Sequence, residues 1–186
     1  EIARVASAAG AEVVMTSQEC ENGSARVAEA CRNVSGPNDA WDAVVNIQGD
    51  MPHISPAVIS TTIRFFLEAP QGGGAEMATV GTPIFDQSQF LSSSVVKVVI
   101  GANDRALYFS RAPMPHSRDG HRLSWQGQPI HGYRHIGLYV FSEAALRGYE
   151  SLESSALEKV EMLEQLRMLE AGYRIDVCIV GPEMCQ

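Results

Sequence analysis

Residues 44–52, Val-Val-Asn-Ile-Gln-Gly-Asp-Met-Pro, constrain the fold of this chain more than any other stretch. Val44, Val45 and Ile47, with Asn46 among them, run into Gln48-Gly49-Asp50, and Met51-Pro52 ends the run, so the segment reads as a short buried strand of a parallel sheet. Open α/β sheets bind ligands just beyond the carboxyl ends of such strands. Asp50 then stands at a strand tip, where one carboxylate suffices to hold a hard divalent cation against a phosphate. Gly49 lets the backbone approach a ligand, and Gln48 offers an amide donor and acceptor beside it. The same three residues also suit an ordinary Gly-Asp turn. The surrounding sequence has to decide.

The chain alternates helix and strand patterns around that segment. Ile2, Val5 and Ala6 share one helical face over residues 1–9, with Gly10 as a stop. Glu12–Thr16 reads as a strand. Asn22-Gly23-Ser24 supplies turn chemistry and a cap for a helix through Arg26, Val27, Ala30 and Cys31, which Pro37 and Asn38 break. Ser55-Pro56 opens another helix, carrying Val58, Ile59, Thr62, Ile63, Phe66 and Leu67 to a Pro-Gln-Gly-Gly-Gly loop at 70–74. This order predicts an α/β sheet with crossover helices. Strands are then predicted over 76–84 and 95–100, the latter turning at residues 101–104 into 106–110 as a hairpin. A long loop with Pro113, Pro115, Gly120, Gly127 and Pro129 follows. The last elements are a strand over 133–141, a short helix from Ser142, a helix over 157–171 stopped by Gly172, and a strand over 174–180.

At 186 residues and 45% apolar composition, the chain suffices for one well-buried domain, taken as residues 1–186. It has no run of eighteen apolar residues and no signal-peptide pattern, so no membrane partner is expected. The net charge of −8 argues against nucleic acid. Cys20, Cys31, Cys178 and Cys185 form no C-x-x-C pair and read as free thiols of a reducing cytoplasm. Glu1 opens directly on a helical pattern and Gln186 stops just past a strand, so the expectation is a domain incomplete at both ends.

Several side chains suit chemistry at the strand tips. Gly23, Ser24 and Arg26 lie at a strand-to-helix junction, where free amides and a guanidinium fit a phosphate or a base carbonyl, or simply a helix cap. Lys97 alternates with valines and is expected to be solvated on an edge strand. Arg111 and Arg118 each suit a bidentate clamp on a carboxylate, or a plain surface position. Period-two alternation puts Tyr133, His135, Gly137 and Tyr139 on one face, either as the wall of a polar pocket or as a cross-strand stack. On a continuous helix over 157–171, Leu163, Leu166 and Leu169 form the apolar stripe. Glu164 and Arg167 then border it, either paired with each other or, for Glu164 with Gln165, reading the hydroxyls of a sugar.

Gln48-Gly49-Asp50, Ser110-Arg111 after Ala-Leu-Tyr-Phe, residues 134–139 (RHIGLY) and residues 157–167 (LEKVEMLEQLR) together closely resemble the 3-deoxy-manno-octulosonate (Kdo) cytidylyltransferases, also called CMP-Kdo synthetases. The resemblance spans essentially the whole chain. It implies a Rossmann-like nucleotidyltransferase sheet with a β-hairpin subregion used for homodimerisation. It also implies magnesium-dependent transfer of CMP from CTP to the anomeric hydroxyl of Kdo, for lipopolysaccharide synthesis in the cytoplasm. By the same resemblance Asp50 holds magnesium, Gln48 lies between nucleotide and sugar, and Gly23, Ser24 and Arg26 sit by the cytosine nucleotide. Arg111, Arg118, His135, Tyr139, Glu164 and Gln165 line the sugar pocket.

The family pattern also includes a leading strand with an arginine- and lysine-bearing triphosphate loop and a second metal aspartate in a Val-Asp-Thr-Pro-like segment. Residues 1–186 hold neither, so a piece that does not turn over CTP and Kdo alone is expected. Met51, Asn22, Ala25 and His116 stand where the family usually has Glu, Ser, an acidic residue and Trp. Two alternatives stay open: a cytidylyltransferase for another acidic sugar, such as an amino-Kdo or a sialic acid, and a degenerate binding or dimerisation protein.

Overall fold

The computed structural model describes residues 1–35, 40–69 and 75–185. The helix break expected at Pro37 and Asn38 and the loop expected at 70–74 lie outside the described residues. In chain order, α1 (Ile2–Ala8) and α2 (Gly23–Val34) precede β1 (Val44–Ile47), and α3 (Pro56–Leu67), β2 (Met77–Ile84) and α4 (Gln87–Leu91) follow. Next come β3 (Lys97–Ile100), β4 (Ala106–Ser110), β5 (Leu123–Trp125), β6 (Gln128–Ile130) and β7 (Gly132–Phe141). The order ends with α5 (Glu143–Tyr149), α6 (Ala156–Glu161), α7 (Gln165–Glu170) and β8 (Ile175–Ile179).

The sheet is mixed, and β7 organises it. Its strand order is β4-β3-β7-β2-β8, with β1 also paired to β7. β2 and β8 are parallel, whereas β7 runs antiparallel to β1, β2 and β3. The parallel setting expected for the Val44 strand is therefore corrected: its ladder is antiparallel, from Val44↔Phe141 to Ile47↔Leu138. On the same edge of β7, β3 takes over at Lys97↔Arg134 and Val98↔Tyr133. The carboxyl end of β1 and the amino end of β3 thus meet over residues 135–137.

Helices cover both faces, as an α/β sheet requires. On one face Ala28, Leu146, Tyr149, Leu166 and Met168 pack onto Val98, Phe109, Tyr139, Phe141, Ile175 and Val177. On the other, Val58 of α3 packs with Val80, Leu138, Cys178 and Val180. Every residue of β2 is buried, which explains its unbroken run of apolar and small residues. Alternation along β7 holds: Tyr139 and Phe141 join the first layer, Ile136 and Leu138 the second. The caps read at Asn22 and Ser55 form, and Ser142 caps the helix expected to begin there. Asn22 accepts from the Ala25 N–H, Ser55 from Ala57 with Pro56 following, and Ser142 from Ala145.

Other expectations need correction. Residues 12–16 form no strand, because the segment finds no ladder partner among the described residues, and Met15 is exposed. The face of α1 bearing Ile2 and Val5 is likewise open to solvent. The long loop hides a small β5–β6 hairpin, turned by Gln126 and Gly127, both at positive φ. Lys97 is fully buried instead of solvated. All four cysteines are free thiols.

The helix expected over 157–171 is two helices. Met162, at φ 55 and ψ 51, ends α6, and the Leu163 N–H reaches back 3.3 Å to the Glu158 carbonyl in a Schellman-like closure. The break rotates Glu164 and Arg167 away from their expected positions. Val160 is 81% exposed and borders no packed face, and Arg167 pairs with Glu158 and Glu21, not with Glu164. A left-handed conformation disfavours a residue with a Cβ by roughly 1–2 kcal/mol, part of which glycine returns as unfolded-chain entropy. Met162→Gly is therefore predicted to stabilise the fold by about 0.5–1 kcal/mol, read as a higher Tm, and Met162→Val to lower it.

Candidate active site

The junction of β1, β3 and β7 opens into a cleft of about 620 Å³. Gln48, Asp50 and Met51 enter from the tip of β1, and Ser94, Val95 and Val96 from the lead into β3. Arg134, His135, Gly137 and Tyr139 form the floor on β7, and Glu21, Asn22 and Gly23 close one side at the start of α2. The adjoining wall is Met162, Leu163, Glu164, Gln165 and Arg167, with Arg111 beyond the end of β4. Of the expected site residues, Gly23, Gln48, Asp50, Arg111, His135, Tyr139, Glu164 and Gln165 line this one cleft.

Three are placed otherwise. Ser24 is buried behind the wall and offers only its backbone N–H, 3.0 Å from Glu164 Oε2. Arg26 points away, its Nη1 donating to Thr16 Oγ1 (2.6 Å) and the Ser17 carbonyl (3.1 Å). Arg118 lies outside the cleft in the long loop, its side chain 92% exposed beside Asp119. A loop tip with no packing neighbour gives a long cation no reason to leave water.

Glu164 joins the two halves of the cleft. One carboxylate oxygen accepts from Ser24 N–H at the start of α2 and the other from the Gln48 amide. A Cβ at residue 23 would come 3.3 Å from Gln48 Nε2, so Gly23 permits this close approach of helix and strand tip. Burial raises the carboxyl's pKa, against the opposing effect of the Ser24 and Gln48 hydrogen bonds. Behind it lies an ion network that sequence reading missed. Arg167 donates from Nε and Nη2 to the two Glu158 oxygens (2.7 and 3.0 Å) and from Nη2 to Glu21 (2.6 Å), and its guanidinium lies 5.1 Å from the Tyr149 ring centroid. Tyr149 in turn accepts from Asn22 Nδ2 at 2.7 Å.

His135 and Tyr139 make a polar, buried floor. His135 packs edge-on to Phe109 at 4.9 Å and tilted against Tyr139 at 5.7 Å, so the pocket wall and the aromatic stack are one structure. The Thr79 hydroxyl donates to the Leu138 carbonyl (2.8 Å), so it accepts from His135 Nε2 (2.9 Å), leaving Nδ1 as the acceptor of a neutral imidazole. Thr79 was not singled out from sequence, because its pairing depends on a register shift between β2 and β7. Tyr139 donates to Gln165 Oε1 at 3.1 Å, while Gln165 Nε2, on a residue 2% exposed, has no partner among the described residues. A buried amide donor in a cleft wall needs an acceptor, which water or a ligand can supply.

Charges complete the picture. Arg167 pairs with both Glu21 and Glu158 and offsets only one of their two charges, while Asp50, Glu164, Arg111, Arg134 and Lys159 also line the cleft. Asp50 is exposed, and no side chain among the described residues engages its carboxylate. No three His, Cys, Asp or Glu side chains converge among the described residues. One open carboxylate fits a magnesium ion that takes its other ligands from phosphates and water. The neighbouring cations suit anionic ligands.

Burial depresses the His135 pKa from 6.5 to about 3. The neutral folded imidazole therefore contributes full stability above pH 6.5, where the unfolded ring is also neutral. That contribution is lost as pH falls from 6.5 towards 3, at about 1.4 kcal/mol per pH unit. His135→Gln is predicted to flatten this loss, so wild type should lose about 2 kcal/mol more than the variant between pH 6.5 and 5 in denaturant titrations.

The sequence profile of the Cytidylyltransferase family matches residues 1–175. The 3-deoxy-manno-octulosonate cytidylyltransferase of Brucella anthropi is 43% identical over 185 residues, covering 97% of this chain and 68% of the relative. The protein of the same name from Xanthomonas campestris pv. campestris is 42% identical over 186 residues, covering 95% and 71%. The structure of CMP:2-keto-3-deoxy-manno-octonic acid synthetase complexed with CTP superposes with a TM-score of 0.81 at 30% identity, over 97% of this chain and 68% of that one.

Proposed function

The chain belongs to the cytidylyltransferase family, among the 3-deoxy-manno-octulosonate cytidylyltransferases, and on that premise we propose that its cleft joins CMP from CTP to the anomeric hydroxyl of Kdo, releasing pyrophosphate. The observation that carries this reading is the meeting of the α2 start, the β1 tip and the polar β7–α7 wall on one carboxylate, Glu164. A nucleotide and a sugar held on either side of it lie within one cleft.

The chemistry is a displacement at the α-phosphorus. A bond forms from the anomeric oxygen, the bond to pyrophosphate breaks, and the hydroxyl proton leaves to solvent. The chain's task is positioning and charge stabilisation. Gly23 and the Ser24 N–H face the nucleotide, and Gln48 lies between the two substrates. On the sugar side, Gln165 Nε2 offers its unpaired donor, His135 Nδ1 an acceptor, and Glu164 an acceptor for hydroxyl groups. Arg111 takes the sugar carboxylate, with Tyr139 holding Gln165 in place. Asp50 would hold magnesium, which screens the phosphate charge when bound. No helix among the described residues is long and apolar enough to cross a membrane, in keeping with a cytoplasmic enzyme acting on soluble substrates. A homodimer through the β3–β4 and β5–β6 region belongs to the same proposal.

Pyrophosphate release that requires both CTP and Kdo tests the reaction, with an amino-Kdo and a sialic acid as competing sugars. Glu164→Ala in the full-length protein should lower kcat/KM for the sugar by about ten- to a hundredfold, the loss of one charged hydrogen-bonding partner in a buried site. The KM for CTP should change less, because the Ser24 N–H is then free for the nucleotide. A lower Tm with unchanged sugar kinetics would make the carboxylate structural.

A further inference from the structure

Lys97 is the most unusual charge in the molecule. It is fully buried, and its ammonium touches no carboxylate. Instead Nζ donates to three backbone carbonyls: Ser92 at 2.8 Å, Val95 at 2.5 Å and Arg111 at 2.5 Å. All three donors are used, which is how a buried ammonium avoids an unpaired N–H. Such a site is expensive for stability alone, since an apolar side chain of similar length fills the same space without desolvating a charge.

The three carbonyls belong to two segments that both reach the cleft. Ser94, Val95 and Val96 line it from one segment and Arg111 from the other. Arg111 interlaces with the same turn. Its Nη1 donates to the Ser93 carbonyl at 3.2 Å, between the two carbonyls that Lys97 holds. Its Nε donates to the Glu161 carbonyl (3.0 Å), and its N–H to Glu161 Oε2 (3.0 Å). Glu161 Oε1 accepts from Ser110 at 2.5 Å. Lys97 therefore fastens the main chain at Arg111 while Arg111 fastens the turn around Lys97. The register pairs Lys97 with Ser110 on one side and Arg134 on the other, which puts the ammonium at the centre of the strands that frame the cleft.

We propose that Lys97 is a positioning residue for the acidic substrate, holding the 92–95 turn and the Arg111 main chain so that the Arg111 guanidinium is fixed towards the cleft. This rests on the cytidylyltransferase reading for its kinetic consequence, though not for its geometry. Lys97 touches no ligand itself. The ammonium also leaves the cluster with two cations against the single carboxylate of Glu161, an excess of positive charge behind the position an anion takes.

The test uses the full-length protein and two variants. Lys97→Met keeps length and apolar stem but removes the donors. Lys97→Arg keeps the charge, but a planar fork cannot direct donors from one point onto three converging carbonyls. Both should raise the KM for Kdo by about tenfold or more with the CTP KM within about twofold. In an Arg111→Ala background, Lys97→Met should add little further, because the effect runs through Arg111. Phenylglyoxal modification of Arg111, mapped by mass spectrometry, reads guanidinium placement without any substrate and should be several-fold faster in Lys97→Met. That arm stands even if the wild type does not use Kdo, an outcome that would sink the functional reading alone. Unchanged Arg111 reactivity in the variants overturns the proposal, as do additive effects in the double variant. Failure of both variants to fold would make Lys97 a determinant of the fold and would equally overturn it.

Discussion

One edge of β7 is shared by two strands, and the cleft exists because of the space between them. β1 ends its ladder at Leu138 and β3 begins its own at Arg134. Both run antiparallel to β7, so the carboxyl tip of one faces the amino lead of the other across residues 135–137. Chains must leave the sheet at such a point, and the diverging segments open a crevice by the same logic as a topological switch point. Gln48 and Asp50 come from one segment, Val95 and Val96 from the other, and His135 and Gly137 floor the opening. Gly137 presents no side chain to fill it; a Cβ there would meet only the end of Met51, at 3.9 Å. A β7 shifted by one residue would carry His135 and Tyr139 to the α3 side of the sheet and leave the cleft with an aliphatic floor.

The walls need a separate support, because short helices have little packing of their own. α6 and α7 have six residues each. The Ser155–Glu158 capping box fixes the first, and Glu158 also takes the Arg167 fork, so one carboxylate serves both helix start and ion pair. The pair continues through Tyr149 to Asn22, which caps α2. A buried ion pair adds little net stability over an apolar replacement, but removing one partner leaves an uncompensated charge. Its consequence here is geometric: the start of α2 and the α6–α7 wall are registered against each other where they meet at the cleft.

How far this was legible from residues alone depends on the range of each interaction. Local chemistry read well, since Asn22 and Ser55 cap where expected, Pro56 begins α3 and a helix follows Ser142. So did period-two alternation, which put His135, Gly137 and Tyr139 on the cleft side. The antiparallel sense of β1 was not legible, because four residues followed by Gln-Gly-Asp carry no mark of their partner's direction. The break at Met162 was hidden because it has neither Gly nor Pro, and Leu163, Leu166 and Leu169 keep a helical spacing across it. The burial of Lys97 depends on carbonyls from residues 92, 95 and 111, which come together only when β3 and β4 pair. Arg26 and Arg118 show the converse failure: the residue type suits an anion, yet nothing local says which way a long side chain turns.

The two sides of the cleft differ in what a ligand must displace. At the start of α2 the Ser24 N–H is already satisfied by Glu164, so a ligand acceptor there would exchange one hydrogen bond for another. On the α7 wall Gln165 Nε2 has no protein partner among the described residues, and a hydroxyl oxygen placed there would meet a free donor. Recognition on that side therefore rewards a ligand with an acceptor at one position and penalises one that leaves the amide buried and unpaired. Such asymmetry discriminates far better than apolar fit does. On the proposed reading, the finer selectivity belongs to the wall built by Tyr139 and Gln165.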